Sequence, residues 1–357
     1  MSLGIRIDGA HARVAASKTE ESRTEPFAVA LVEARGALLS WTIPPGRFPD
    51  AEVHAPLLAA EWLADLYGDA VAEAVRQAAT AGTSAEDVAL PDETRLAADA
   101  RRLALLTWAR DWWPAGIAVP PLDASVLAAE IAIAAHHVDH LLDDDEATER
   151  SLADAVGAPS ALAALTASFA EDAAALADEL SALAEDHGVE LLPVVERRAE
   201  WSLAAGGSTG AGTAGIEIAH GGAPVRWADV PAQAVVADAE ARWSLRHAAG
   251  EPTLVVEVVA VPGGSAELRA RFGPEEQGID VPLHLEGAVF TGSAPVPASV
   301  ALLPIEQRTL WVRDVRMAAH PSAVESADAR EAAFAHASAR IVDASAGLAE
   351  RAAGARR

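Results

Sequence analysis

The chain lacks cysteine and asparagine, and Lys18 is the one lysine among its 27 basic residues. Without cysteine there is no thiol nucleophile, no disulfide, no zinc–thiolate site and no iron–sulfur cluster. Without asparagine there is no acceptor for N-glycosylation. Lys18 follows Ser17 and not the glycine that the Gly-Lys-Ser/Thr of a phosphate-binding P-loop requires, which excludes this motif. Schiff-base chemistry would depend on this single amine, in a polar run that cannot desolvate it.

Positive charge is also scarce, since the formal net charge is −26 at pH 7. Such a chain repels phosphate backbones and anionic lipids, so we expect neither nucleic acid nor a membrane as partner. Coding bias and salt adaptation both account for the acidity. The longest apolar run, residues 126–135, is broken by Glu130 and falls far short of the ~18 residues that indicate a membrane span. No signal peptide is evident, so the sequence predicts a cytoplasmic protein.

The hydrophobic pattern predicts an α+β fold that begins with a small β-sheet and a helical bundle. Residues 3–43 alternate as short strands, with hairpin turns at Asp8-Gly9 and Arg35-Gly36. Residues 50–205 show helical periodicity, and capping-box spacing at 83–86 marks one helix start. Gly82 is expected to end the helix before it, and a heptad stripe from Leu162 to Leu183 predicts a further helix that Gly188 would end. Together the strands and helices form the first predicted domain, 1–205.

The second half of the chain predicts an antiparallel β-sandwich and a terminal helix. A glycine-rich linker at 206–215 precedes about seven short strands within 216–320, and Pro282 suits an edge strand. Residues 321–357 predict one amphipathic helix that starts at the capping box Ser322 to Glu325.

Histidines and carboxylates, the catalytic types that remain, concentrate at residues 136–146. On a continuous helix, His136, His140 and Asp143 would share one face at i, i+4 and i+7, where they could ligate a divalent metal. A solvated helix face explains the same spacing, and the catalytic Glu of H-E-x-x-H is absent.

Two sets of large side chains are candidates for an interaction surface. Trp108, Trp112 and Trp113 cluster at the end of one predicted helix, and tryptophan is common at interface hot spots. Phe334, Ile341 and Leu348 recur every seven residues in the terminal helix, which suits docking on a partner or on the chain's own core. The tryptophans could equally cap the helical core.

These observations support three functional hypotheses. The leading one is a cytoplasmic interaction or assembly subunit with a protein partner or a second copy, without catalysis or a cofactor. The alternative is a metal-dependent enzyme that uses the site at 136–146 and a divalent cation. The third is a small-molecule-binding protein with its pocket at the domain junction.

Overall fold

The structure is a computed structural model that describes residues 2–8, 11–16, 25–82, 84–191, 216–248, 251–274, 277–317 and 325–356. Contacts divide the chain into two compact units. Unit 1 comprises Met1–Asp111, Leu122–Val194 and Ser326–Arg357, and unit 2 comprises Trp112–Pro121 and Val195–Glu325. Both units carry antiparallel sheets with helices, which confirms the α+β class. Of the helices that the structure describes, none has the length and apolar character that a membrane crossing needs. The predicted linker, 206–215, lies outside the described residues.

Unit 1 begins with an antiparallel sheet of six strands in the order β3-β4-β5-β2-β1-β6. The strands are β1 (Ser2–Asp8), β2 (His11–Ala16), β3 (Val29–Ala34), β4 (Ala37–Thr42), β5 (Asp50–Val53) and β6 (Ala85–Ala89). Both predicted hairpins, β1–β2 and β3–β4, are confirmed. In the β1–β2 hairpin, Asp8 pairs with His11, so the turn lies one position later than the predicted turn at Asp8-Gly9. The residues of this turn lie outside the described part of the chain.

The predicted helix start at 83–86 is wrong, because residues from Ala85 onwards form β6. This strand pairs antiparallel with β1, with Val88 opposite Leu3. Without β6, β1 would be an edge strand with unpaired backbone groups, and pairing with β6 satisfies them. Local capping signals are therefore overridden here by a long-range sheet contact.

The helices of unit 1 cover one another and the sheet with alanine- and leucine-rich faces. Up to residue 186 they are α1 (Pro56–Ala59), α2 (Leu63–Tyr67), α3 (Asp69–Ala81), α4 (Arg95–Trp112), α5 (Ala124–His137), α6 (Ala147–Asp154), α7 (Ala158–Ala163) and α8 (Ala170–Asp186). Gly82 and Gly188 end α3 and α8 in left-handed conformations, as predicted. The prediction of one continuous helix from Leu162 to Leu183 is wrong. The backbone of Thr166 is extended, and this break separates α7 from α8.

Unit 2 contains two antiparallel sheets that share one core, which confirms the sandwich. Its elements are β7 (Ile216–Pro224), β8 (Glu240–Ala248), β9 (Glu251–Val259), β10 (Leu268–Phe272), β11 (Ile279–Pro282), β12 (His284–Glu286), β13 (Val289–Pro295), α9 (Ala298–Ala301) and β14 (Leu310–Asp314). The sheet orders are β12-β13-β9-β8-β7 and β11-β10-β14. The rings of Trp243 and Phe272 lie 4.8 Å apart between them.

One predicted strand of unit 2 is divided between the two sheets. Residues 279–285 alternate as a single strand in the sequence, yet β11 pairs with β10 and β12 pairs with β13. Pro282 ends β11, which is an edge strand as expected for a residue without an N–H donor. The sequence analysis did not anticipate β13.

The C-terminal part returns to unit 1, where the expected helical end of the chain is confirmed but is divided into two helices, α10 (Ala327–Arg340) and α11 (Leu348–Gly354). The cap of α10 is Ser326, whose hydroxyl accepts the N–H of Ala329 at 3.3 Å. In the predicted capping box, residues 322–324 lie outside the described part of the chain. Glu325 instead accepts the N–H of Ala228.

Candidate functional site

The predicted metal ligands do not share a helix face, because α5 ends at His137. His136 lies in its last turn, whereas His140 and Asp143 follow in turns and all three are exposed. Among the described residues, no group of three or more histidine, cysteine or acidic side chains is arranged to hold a metal ion. The structure thus does not assemble His136, His140 and Asp143 into a site.

The helix ends here because the chain adds to the edge of the N-terminal sheet. Leu142 forms an isolated antiparallel bridge with Ala34 of β3, and Arg35 N–H donates to the carbonyl of Leu141 at 2.9 Å. The acidic residues that follow are paired with arginines: Asp145 with Arg35 at 2.6 Å, and Asp144 with Arg150. These ion pairs give the acidic segment a structural role.

The predicted interaction residues are mostly within the protein's own core. Trp108 is buried and its Nε1 donates to the carbonyl of Phe27 at 2.7 Å, while buried Trp113 donates to the carbonyl of Pro120 at 3.0 Å. Ile341 and Leu348 are buried, and Trp112 and Phe334 are half-buried. The structure therefore leaves little of this apolar surface exposed.

A pocket of about 550 Å³ lies within unit 1, between α4, α8 and the C-terminal residues. Both helices present one face to it, because their lining residues recur at i, i+3, i+4 and i+7. The lining side chains of α4 are Ala98, Arg101, Arg102, Leu105 and Leu106, and those of α8 are Asp172, Ala175, Leu176 and Glu179. The remaining wall comes from Glu130 of α5 and from residues between 340 and 351.

Glu130 is a carboxylate in the buried interior of this pocket, only 1% exposed. Its Oε1 accepts the N–H of Leu348 at 2.7 Å, and its Oε2 accepts the N–H of Ala349 at 3.0 Å. These are the first two amides of α11, which have no partner within the helix. Burial raises the pKa of Glu130, although the two amides and Arg102 oppose that shift. Glu130 therefore holds the start of α11 against α5.

A second buried carboxylate, Glu350, joins α11 to the end of α10. Arg340 donates to it through two nitrogens, with Nε to Oε1 at 2.9 Å and Nη2 to Oε2 at 2.5 Å. Glu350 also accepts the N–H of Gly347 at 2.8 Å. A planar guanidinium matches a carboxylate in this two-bond arrangement, which fixes both side chains.

A further arginine–carboxylate pair bridges the rim of the pocket. Nη1 of Arg351 lies 2.8 Å from Oδ2 of Asp172, and Nε of Arg351 donates to the carbonyl of Ala346 at 3.1 Å. Glu179, further along α8, lies 3.2 Å from Nε2 of His137. Each acidic group that lines the pocket thus has a partner in the structure.

Behind this network, His336 of α10 lies edge-on to Trp108, with ring centroids 5.4 Å apart. Burial and the nearby cation of Arg340 lower the pKa of His336 to about 4, against a smaller opposing effect of Glu350. The imidazole is therefore neutral at pH 7. A neutral ring costs less to bury here than a cation would.

Comparisons with known proteins give no relative for the chain: no protein-family model, no curated protein and no solved structure matches it.

This pocket was not predicted from the sequence, although one of its residues carried a signal. Glu130 interrupts the apolar run 126–135, and a carboxylate in such a run either lies in solvent or is buried with partners. Nothing local indicates Arg102, because its partner Glu130 lies on another helix. Glu130 and Leu348 are 218 positions apart.

Proposed function

We propose that this chain binds a small molecule in the pocket between α4 and α8. The observation that carries the proposal is a concave site of about 550 Å³ that combines buried ionisable groups with apolar side chains. Pockets of roughly 300–1,000 Å³ with a few fixed polar groups are the usual sites for small ligands. Shifted pKa values, such as that of Glu130, also concentrate at functional sites.

A variant pair on α8 tests this proposal. Ala175 lines the pocket and Ala174 does not, yet both alanines are exposed. Ala175→Trp would fill the pocket without crowding the core, and Ala174→Trp adds the same side chain outside it. The measurement is saturation-transfer NMR with a fragment library of acids, amines and neutral compounds.

We expect hits on the wild-type protein that are lost in Ala175→Trp and kept in Ala174→Trp. An absence of hits, or hits that survive equally in both variants, would overturn the proposal.

The second candidate function is that of an interaction or assembly subunit in the cytoplasm, and one feature of unit 2 favours it. Strand β7 is nine residues long and lies at the edge of the five-stranded sheet. Its first residues include Ile216 and Ile218, which are 77% and 57% exposed. An open edge with exposed apolar side chains can pair with another strand. We assign a second copy of this chain as the partner, because β7 strands from two copies can pair antiparallel about a two-fold axis.

Light scattering coupled to size exclusion tests this second function. A dimer is expected for the wild-type protein and a monomer for Ile218→Lys, because a lysine on an edge strand opposes pairing. Leu302→Lys, at a position 81% exposed in unit 2 but outside the strands, is the matched control and should remain dimeric. A wild-type monomer at all concentrations would contradict self-association through β7.

A further inference from the structure

We infer that the ligand of this pocket is a small organic acid, whose carboxylate binds the guanidinium of Arg102 and whose short apolar body packs on leucines. This inference rests on the proposed small-molecule function and adds the chemical class of the ligand. It follows from which donors and acceptors of the pocket are already in use.

The carboxylates deepest in the pocket have little capacity left for a cationic ligand. Glu130 accepts two backbone amides, and Glu350 accepts two nitrogens of Arg340 and one amide. Asp172 at the rim is paired with Arg351. A cationic ligand would have to displace these contacts, which also hold α11 in place.

Arg102 differs from Arg340 and Arg351 because its donors are largely unused. Arg101, which also lines the pocket, is held in a 2.9 Å ion pair with Glu93. The only ion pair of Arg102 among the described residues is with Glu130, at 3.5 Å, and no hydrogen bond of its side chain is found there. The side chain is 49% exposed. A guanidinium carries five N–H donors in a fork that matches a carboxylate with two parallel bonds.

The charge of Glu130 does not cancel this capacity. The amides of Leu348 and Ala349 donate to both of its oxygens at 2.7 and 3.0 Å, so its negative charge is shared with the start of α11. Arg102 thus keeps a cation at the pocket surface in a chain whose net charge is −26. An acid is attracted to this point and repelled by most of the remaining surface.

The apolar part of the lining decides between an organic acid and an inorganic anion. Leu105, Leu106 and Leu176 line the pocket from its two helical walls, together with Ala98 and Ala175. Burying a ligand methylene against such side chains stabilises a complex, because apolar surface is removed from water. Inorganic phosphate would leave this surface uncovered, whereas a short-chain or aromatic acid would cover it.

The test compares matched probes on the folded wild-type protein by titration calorimetry in low-salt chloride buffer. Hexanoate, hexanamide and hexylamine share one apolar chain and differ in charge, as do benzoate, benzamide and benzylamine. Inorganic phosphate reports on the anion alone. We expect at least one acid to bind at least tenfold more tightly than its amide, its amine and phosphate.

Arginine variants on α4 assign the binding to Arg102. Arg102→Ala should weaken acid binding at least tenfold, and Arg102→Lys should weaken it less, because lysine keeps the charge but loses the fork. Arg95→Ala is the control, since Arg95 is 89% exposed on the same helix, is paired with Asp99 and is outside the pocket lining. It should change the affinity less than twofold.

Four results would overturn the inference, and they separate it from the proposed function. Amides or amines that bind as well as the acids, and are lost in Ala175→Trp, would refute the ligand class while the pocket function stands. Phosphate that binds as tightly as the tighter of the two acids would refute the apolar requirement. If neither these probes nor the fragment library bind, the proposed function itself fails. Equal acid binding by wild type and a folded Arg102→Ala variant would exclude Arg102.

Discussion

Acid should destabilise unit 1 through His336 in particular. The pKa of His336 is lowered to about 4 in the folded protein, while the unfolded chain has the ordinary value of 6.5. Below pH 6.5 the unfolded state binds a proton that the folded state does not, so stability falls as the pH falls towards 4. The loss from this one group is about 2 kcal/mol at pH 5 and about 3 kcal/mol at pH 4.

The substitution His336→Phe removes this titration and keeps a ring beside Trp108. Urea unfolding followed by circular dichroism at 222 nm reports mainly on unit 1, which contains nearly all of the described helices. We expect the wild-type stability to approach or fall below that of His336→Phe as the pH is lowered from 7.5 to 4.5. Any constant difference in packing between the two proteins cancels in this comparison.

An exposed histidine supplies the control for the pH experiment. His140→Gln should lose stability with pH in parallel with the wild-type protein, because its side chain is exposed. If the stabilities of wild type and His336→Phe decline in parallel from pH 7.5 to 4.5, the imidazole is not held neutral by burial and Arg340. The reasoning about the interior of unit 1 would then be refuted.

Two further substitutions probe how the C-terminal helices are held. Arg340→Met leaves Glu350 buried without its counter-charge and should lower the free energy of unfolding in urea by about 2–4 kcal/mol. Adding Glu350→Met to this variant should recover most of the lost stability, and a double variant as unstable as Arg340→Met alone would contradict this explanation. Gly354→Ala should destabilise unit 1 by more than the roughly 1 kcal/mol expected for Gly188→Ala. The new Cβ at position 354 would lie 2.0 Å from the carbonyl oxygen of Ile341, whereas Gly188 has open space around it and only a left-handed backbone. Equal losses of stability in thermal unfolding would argue against this close approach.

Elements specified by neighbouring residues could be predicted from the sequence. The β3–β4 hairpin follows from alternating apolar residues on either side of Arg35-Gly36, and Gly188 closes α8 as its position indicated. The same holds for most strands of unit 2, where alternation reports which face is buried.

Elements specified by distant residues could not be predicted in this way. Strand β6 forms because β1 offers an open edge, and α5 ends at His137 because the following residues bridge to β3. The break after Arg340 similarly coincides with contacts that the C-terminal residues make with α5. In each case a local pattern that is satisfactory for a helix yields to backbone pairing or packing that only the folded chain provides.

The pocket depends on residues that are far apart in the sequence, and the contacts among them determine how ligand binding would stabilise the protein. Glu130 and Glu350 hold α11 in place, so the wall that a ligand touches is the segment that these carboxylates anchor. A ligand that binds only the folded pocket stabilises the protein by about 2.7 kcal/mol at a hundred times its dissociation constant. That free energy must appear as tighter docking of the C-terminal helices, because loss of their docking dismantles the pocket. Composition restricts the chemistry to the same end: the chain has no cysteine or asparagine, and among the charged side chains of the pocket it is arginine whose N–H donors match a carboxylate.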